Sequence, residues 1–168
     1  MQKAGVISRI DAEQFTAQGY YATNKPAIIT NALTDWDAEQ FWTAQNLALV
    51  LKNRQIPIAI SSGPRFGYKP TEDPQNHELY SIEDMHFDSV VRQVIHPEGG
   101  KHIYAMQLSI PDRLPELREH LTVPHWIQEK TPAINLWFGH NTITPLHFDS
   151  SSNFFAQIKG VHSGNHVI

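Results

Sequence analysis

Apolar side chains recur with two different spacings along the first 132 residues. Residues 37–52 have one apolar side, formed by Trp42, Leu47, Leu49 and Leu51, which predicts an amphipathic helix. Residues 55–60 alternate around three isoleucines, which predicts a strand because neighbouring strand residues face opposite sides of a sheet. The same reasoning predicts further strands over 26–30 and 102–109, and a short helix over 111–121.

Two polar patterns mark predicted helix starts. Asp11, followed three residues later by Gln14, has the spacing of a capping box, in which each side chain binds the other residue's backbone amide. Ser81 and Asp84 have the same spacing and predict a helix that runs to about residue 95. Between these regions, residues 61–76 are rich in glycine and proline and predict a long loop.

The pattern changes after residue 132. Three β-like runs, at 133–138, 144–149 and 153–159, are separated by two short turn-like stretches. Helices with scattered strands followed by a strand-rich end predict a mainly β fold with N-terminal helices, in the α+β class. The chain is expected to divide into an N-terminal helix and strand region (1–132), the first core strands (133–160) and a divergent tail (161–168).

Composition limits the classes of function. The chain has 168 residues, 40% of them hydrophobic, which is enough for one domain with a core. Its net charge is −4 and it lacks a lysine or arginine run, so nucleic acid is not an expected partner. The absence of cysteine excludes disulfides, thiolate metal sites and cysteine nucleophiles. Neither a signal peptide nor a long apolar run is present, so we expect no membrane segment and a cytoplasmic protein.

The candidate chemistry is an imidazole and a carboxylate two residues apart, at His147 and Asp149. On a strand, residues i and i+2 face the same side, so both groups could bind one ion. Imidazole plus carboxylate makes up two of the three protein ligands of the facial triad that holds non-haem Fe(II).

An identical tripeptide earlier in the chain provides a comparison. His86-Phe87-Asp88 falls inside the helix predicted to start at Ser81. Residues i and i+2 of a helix lie about 200° apart around its axis, so these two side chains are not expected to share an ion. This copy predicts an exposed helix with a half-buried phenylalanine.

The surroundings of the second copy resemble a known family. Residues 135–139 (NLWFG), 142–149 (TITPLHFD) and 153–160 (NFFAQIKG) resemble the first core strands of JmjC-type, cupin-like Fe(II)/2-oxoglutarate hydroxylases. Within that family they are most similar to the asparaginyl hydroxylase that inhibits hypoxia-inducible factor. The resemblance implies a partial double-stranded β-helix (jelly roll), Fe(II) as metal, 2-oxoglutarate as cosubstrate, and a protein or peptide substrate hydroxylated on a side chain.

The family pattern assigns roles to five positions. His147 and Asp149 would be the iron ligands and catalytic residues, and Thr144, Tyr104 and Asn153 would bind or line the site of 2-oxoglutarate. Each of the last three has a structural alternative. Thr144 could be a β-former before a proline, Tyr104 a core aromatic, and Asn153 a turn residue.

The chain departs from the family after residue 160. In the family, a lysine that pairs with the far carboxylate of 2-oxoglutarate stands where this chain has His162. A second iron-binding histidine would follow much further along, and residues 161–168 do not resemble the expected strand. The resemblance therefore predicts an oxygenase chain truncated before its distal iron-binding histidine.

Two alternatives to an active oxygenase stay open at this point. A non-catalytic fragment of the family could serve as a binding or dimerisation module, and open sheet edges would make a homodimer possible. A cupin of another class, such as a metal-dependent isomerase or a sugar-binding protein, is the other alternative, and the setting of Thr144 and Asn153 argues against it.

Overall fold

The structure is a computed structural model that describes residues 7–23, 25–68, 78–127, 132–147 and 149–162. The strands are β1 (Ser8–Ile10), β2 (Ala27–Ile29), β3 (Gln55–Ser61), β4 (Ser81–His86), β5 (His102–Ser109) and β6 (Asn135–Gly139). The helices are α1 (Ala12–Ala17), α2 (Tyr20–Thr23), α3 (Ala38–Phe41), α4 (Ala44–Val50), α5 (Phe87–Ile95) and α6 (Ile110–Arg113), and a 3₁₀ helix covers Pro115–His120.

The chain forms two compact units. The first contains Met1–Glu39, His120–Lys130 and His147–Ile168, and the second contains Gln40–Glu119 and Thr131–Leu146. No helix in the described part of the chain is long and apolar enough to cross a membrane.

A four-stranded antiparallel sheet organises the second unit, in the order β4-β3-β5-β6. Its register places Ala59 opposite both Ile82 and Tyr104, and Tyr104 opposite Gly139. Because directly paired residues of an antiparallel sheet face the same side, these four residues form one row across it. The sheet therefore carries Tyr104 on the same face as Gly139.

The core of this unit lies between the sheet and its helices. The Phe87 ring at the start of α5 stacks on Phe138 of β6, with ring centroids 5.8 Å apart. Complete burial of an aliphatic or aromatic side chain stabilises a fold by about 1.5–3 kcal/mol. The fully buried side chains of this core include Leu51, Ile56, Ile58, Phe87, Val90, Ile110, Leu114 and Leu117.

An ion pair links the residue before β3 to the 3₁₀ helix. The Arg54 guanidinium donates to Oε1 of Glu116, and its Nε lies 2.9 Å from that oxygen. Partial burial would raise the pKa of the Glu116 carboxyl, but the hydrogen bonds and charge of Arg54 hold it below its usual value. The Arg54 backbone carbonyl also accepts a hydrogen bond from the Phe87 amide, 2.9 Å away.

The first unit is built on an aromatic cluster and a short parallel ladder. Strands β1 and β2 pair in parallel from Ser8 opposite Ala27 to Ile10 opposite Ile29. The capping box predicted at Asp11 and Gln14 is confirmed at the start of α1. The aromatic cluster is defined by Phe15, Tyr20, Tyr21, Trp126 and Phe154.

The prediction of a helix beginning at Ser81 is wrong. Residues Ser81–His86 form β4, which pairs with β3 along six residues, and the helix begins at Phe87. Pairing with a neighbouring strand satisfies this backbone more fully than an isolated helical turn would, so tertiary context overrides the capping signal. Phe87 is also completely buried, where the sequence predicted a half-buried ring.

Three other elements differ from their predictions. The helix predicted over 37–52 is two helices, because Thr43 caps a new one by accepting from the Asn46 amide. The runs predicted as strands at 144–149 and 153–159 contain no strand among their described residues, where neither has a ladder partner. Residues 69–76 of the predicted loop and 163–168 of the predicted tail lie outside the described residues.

Candidate metal and cosubstrate site

His147 and Asp149 lie close together in the first unit. The Nε2 atom of His147 is 3.8 Å from Oδ1 of Asp149, and about half or more of each side chain is exposed. Neither residue belongs to a regular strand, so β pleating does not account for the short distance between the two side chains. The structure thus brings together the two side chains that the sequence pattern singled out.

The separation and the chemistry of this pair fit a single metal ion. Nitrogen and oxygen ligands lie roughly 2.1 Å from a transition-metal ion, so two donors of one ion are at most about 4.2 Å apart. The observed 3.8 Å is within that limit, and binding as adjacent ligands of a facial triad, about 3.0 Å apart, would draw the two groups closer together. In the described part of the chain, no group of three histidine, cysteine, aspartate or glutamate side chains is arranged to hold a metal. The described residues therefore supply two ligands of a possible site.

Asn153 contacts the carboxylate of Asp149. Its Nδ2 atom donates a hydrogen bond to Oδ2 of Asp149 at 2.8 Å. Because this bond occupies Oδ2, the other oxygen is left on the side of His147. The sequence pattern suggested only that Asn153 lines a cosubstrate site, and this orienting contact was missed. Its four-residue spacing from Asp149, across a run of three serines, was the available signal.

The residue after Asn153 belongs to the aromatic cluster of the first unit. Phe154 stacks on Tyr21 at 5.9 Å and meets Phe15 and Trp126 edge-on at 6.0 and 5.2 Å. Aromatic pairs of this geometry contribute roughly 0.5–1.5 kcal/mol each beyond their buried area. This packing fixes the end of the turn that carries Asp149 and Asn153.

In the second unit, the structure places Tyr104 and Thr144 together. Burial raises the pKa of the Tyr104 phenol, while hydrogen bonds with Thr142 and Thr144 act in the opposite direction. The phenol is therefore protonated at neutral pH and can donate a hydrogen bond. Thr142 was not singled out from the sequence, although it stands two residues before Thr144.

Two aromatic side chains pack against the Tyr104 ring. Phe66 meets it edge-on at 5.4 Å and Trp137 lies 5.8 Å away. Gly139, directly opposite on β6, permits this packing, since a Cβ there would lie 2.8 Å from Cδ2 of Tyr104. The Tyr104 ring is therefore packed among aromatic neighbours, as the structural alternative expected, while its hydroxyl contacts Thr142 and Thr144.

The earlier copy of the tripeptide does not form a similar pair. His86 ends β4, and Asp88 in the first turn of α5 lies 3.3 Å from the Arg92 guanidinium. The His86 ring lies 3.4 Å from the Gln55 side-chain nitrogen. The two side chains thus have different neighbours, and the copy spans the end of β4 and the start of α5 rather than lying wholly within a helix.

Comparison with known proteins identifies the family. The sequence model of the cupin-like domain matches residues 12–163, which is most of the chain. The chain therefore belongs to the cupin-like domain family, and the fold class predicted from the sequence is confirmed.

Three relatives show how far the similarity extends. Lysine-specific demethylase 8 of Danio rerio is 30% identical over 144 residues, covering 81% of this chain and 33% of the relative. Its counterpart in Xenopus tropicalis is 24% identical over 147 residues, covering 84% and 31%. The bifunctional peptidase and (3S)-lysyl hydroxylase JMJD7 of Homo sapiens is 29% identical over 152 residues, covering 82% and 45%. The chain thus spans about a third of the length of the first two relatives.

Proposed function

We propose that the chain is part of an Fe(II)/2-oxoglutarate-dependent oxygenase that hydroxylates a side chain of a protein or peptide. The observation that carries this proposal is the 3.8 Å approach of the His147 imidazole and the Asp149 carboxylate. Membership of the cupin-like domain family and the resemblance of residues 135–160 to JmjC-type hydroxylases support it.

Each predicted residue has a role that its contacts allow. His147 and Asp149 would hold Fe(II), with Asn153 orienting the carboxylate through its 2.8 Å hydrogen bond. Tyr104 and Thr144 would donate hydrogen bonds to 2-oxoglutarate, since both hydroxyls are donors and the phenol stays protonated. When bound, the metal would supply the oxygen chemistry, in which O₂, 2-oxoglutarate and a substrate C–H group give succinate, CO₂ and a C–OH group.

The proposed substrate is a side chain of a protein or peptide, without a choice of residue type. The relatives named above are a lysine-specific demethylase and a lysyl hydroxylase. The similarity to an asparaginyl hydroxylase, inferred from the sequence motifs, stays a prediction. These narrower substrates differ in charge and length. The shared element is an unactivated C–H bond on a protein or peptide side chain.

Succinate formation tests this proposal. The chain is incubated with Fe(II), 2-oxoglutarate and O₂, and succinate is quantified by proton NMR for the wild type, His147→Ala and Asp149→Ala. We expect succinate in the wild type and at least a tenfold loss in both variants, because each removes a metal ligand. His86→Ala is the matched control, since it changes the same residue type in the other copy of the tripeptide. Equal succinate in the wild type and in both ligand variants would overturn the proposal.

The second candidate function is a non-catalytic cupin-like module that binds a partner or dimerises. Two rather than three metal ligands gather among the described residues, which is the observation that favours it. Metal binding that requires His147, without succinate formation above background, is the result expected for this candidate.

A further inference from the structure

Two segments of the second unit run side by side next to Thr144. The Ile143 amide donates to the Pro64 carbonyl at 2.7 Å, and the Phe66 amide donates to the Ile143 carbonyl at 2.9 Å. Ile143 also forms an isolated parallel bridge with Arg65. These bonds fix the backbone of the residue that separates Thr142 from Thr144, and so the two hydroxyls that meet Tyr104.

One residue further along, the same two segments touch through Gly67 and Pro145. Gly67 is buried, and a Cβ added there would overlap Cγ of Pro145 and lie 3.0 Å from its Cδ. The glycine is thus needed for close approach. Because the proline ring is bonded to its own backbone nitrogen, it cannot rotate away as a flexible side chain would. Relief of the overlap would therefore move backbone, either at residue 67 or where Pro145 joins Thr144.

We propose that the contact between Gly67 and Pro145 sets the position of Thr144 against Tyr104 and thereby the affinity for 2-oxoglutarate. Gly67 is in this sense a positioning residue that acts through Pro145. The part that concerns 2-oxoglutarate rests on the proposed function, whereas the part that concerns Thr144 and Tyr104 follows from the described contacts.

Gly67→Ala tests the contact, and the same loop offers a matched control. At Gly63 an added Cβ meets nothing within 4 Å, so Gly63→Ala makes the same chemical change without the overlap. The first readout is the NMR signals of the Thr144 methyl group and the Tyr104 ring. We expect both to shift in Gly67→Ala and to stay in place in Gly63→Ala.

The second readout is the binding of 2-oxoglutarate to the Mn(II)-loaded chain, measured by titration calorimetry. Since a misplacement of about 1 Å can cost a site about 100-fold, we expect Gly67→Ala to weaken binding by between about tenfold and 100-fold. Pro145→Ala in the same chain removes the ring atoms that the new Cβ would overlap. The double variant Gly67→Ala/Pro145→Ala should therefore regain part of the affinity and of the wild-type NMR signals.

The outcomes separate this inference from the proposed function. Wild-type chain that does not bind 2-oxoglutarate contradicts the proposed function, and the shifts of Thr144 and Tyr104 still decide the positioning role. Wild-type binding that Gly67→Ala leaves unchanged, with no shift at Thr144 or Tyr104, overturns the inference alone. Equal losses in Gly63→Ala and Gly67→Ala, or no recovery in the double variant, would also overturn it.

Discussion

Asn153→Ala isolates the contact that orients the candidate metal ligand Asp149. The substitution removes the Nδ2 donor that lies 2.8 Å from Oδ2 of Asp149 and leaves His147 and both carboxylate oxygens in place. Because Asn153 and Asp149 are both exposed, water can replace the lost donor, so the cost to folding stability should stay below about 1 kcal/mol.

The effect on metal binding should be larger than the effect on stability. Without the amide, the carboxylate can rotate, and Oδ1 is no longer held on the side of His147. Loss of a group that orients a metal ligand typically weakens affinity about 10- to 100-fold. This corresponds to about 1.4–2.8 kcal/mol of binding free energy.

Co(II) titration followed by visible absorption measures this effect. Co(II) accepts the same imidazole and carboxylate ligands as Fe(II) and gives a visible spectrum that reports its coordination. Ser152→Ala is the control, since it alters the neighbouring residue of the same turn and keeps the Asn153 amide. Unchanged Co(II) affinity in Asn153→Ala would refute the orienting role.

Three further predictions concern the second unit. Leu117→Ala should lower the free energy of unfolding by about 2–5 kcal/mol in urea titrations, because Leu117 is completely buried; a loss below 1 kcal/mol would contradict its place in the core. Tyr104→Phe keeps the ring but removes the hydroxyl, and should weaken 2-oxoglutarate binding by about tenfold in calorimetry; wild-type affinity would contradict a binding role. Glu116→Gln should destabilise the chain by less than about 1 kcal/mol, because more than a third of the Arg54 side chain is exposed. Since the pKa of Glu116 is lowered on folding, this loss should be present above its unfolded pKa and vanish as the pH falls through its folded pKa; a loss that persists in acid would contradict the ion pair.

Sequence patterns located three of the four strands of the central sheet and the start of α1, but they missed β4 and the start of α5. The alternation of 55–60 and the run at 102–109 match β3 and β5, because one face of each strand is buried and the period of two is preserved. Ser81 and Asp84 imitate a helix cap, and nothing local reveals that β3 pairs with them instead. Such pairing joins residues far apart in sequence, which local propensity does not encode.

The sequence predicted which residues form the candidate site, but it did not predict most of the contacts between them. His147 and Asp149 were found because one ion needs two suitable donors close together, a condition that spacing expresses directly. Two contacts could not be predicted in this way: the hydrogen bond from Asn153 to Asp149 and the close approach of Gly67 to Pro145. Both depend on how side chains pack, which the spacing of residues along the sequence does not determine. The expected division of the chain at 132 and 160, and the possible homodimer, stay predictions.

The shared metal site is tested by finding which of the ten histidines binds a metal ion first. Co(II) is titrated into the chain and the imidazole protons are followed by NMR, where a paramagnetic ion shifts the ring that binds it. We expect the His147 ring to shift first, the His86 ring to be unaffected at the same concentration, and Asp149→Ala to abolish the His147 shift. A different histidine responding first, or a His147 shift that persists in Asp149→Ala, would contradict a shared metal site.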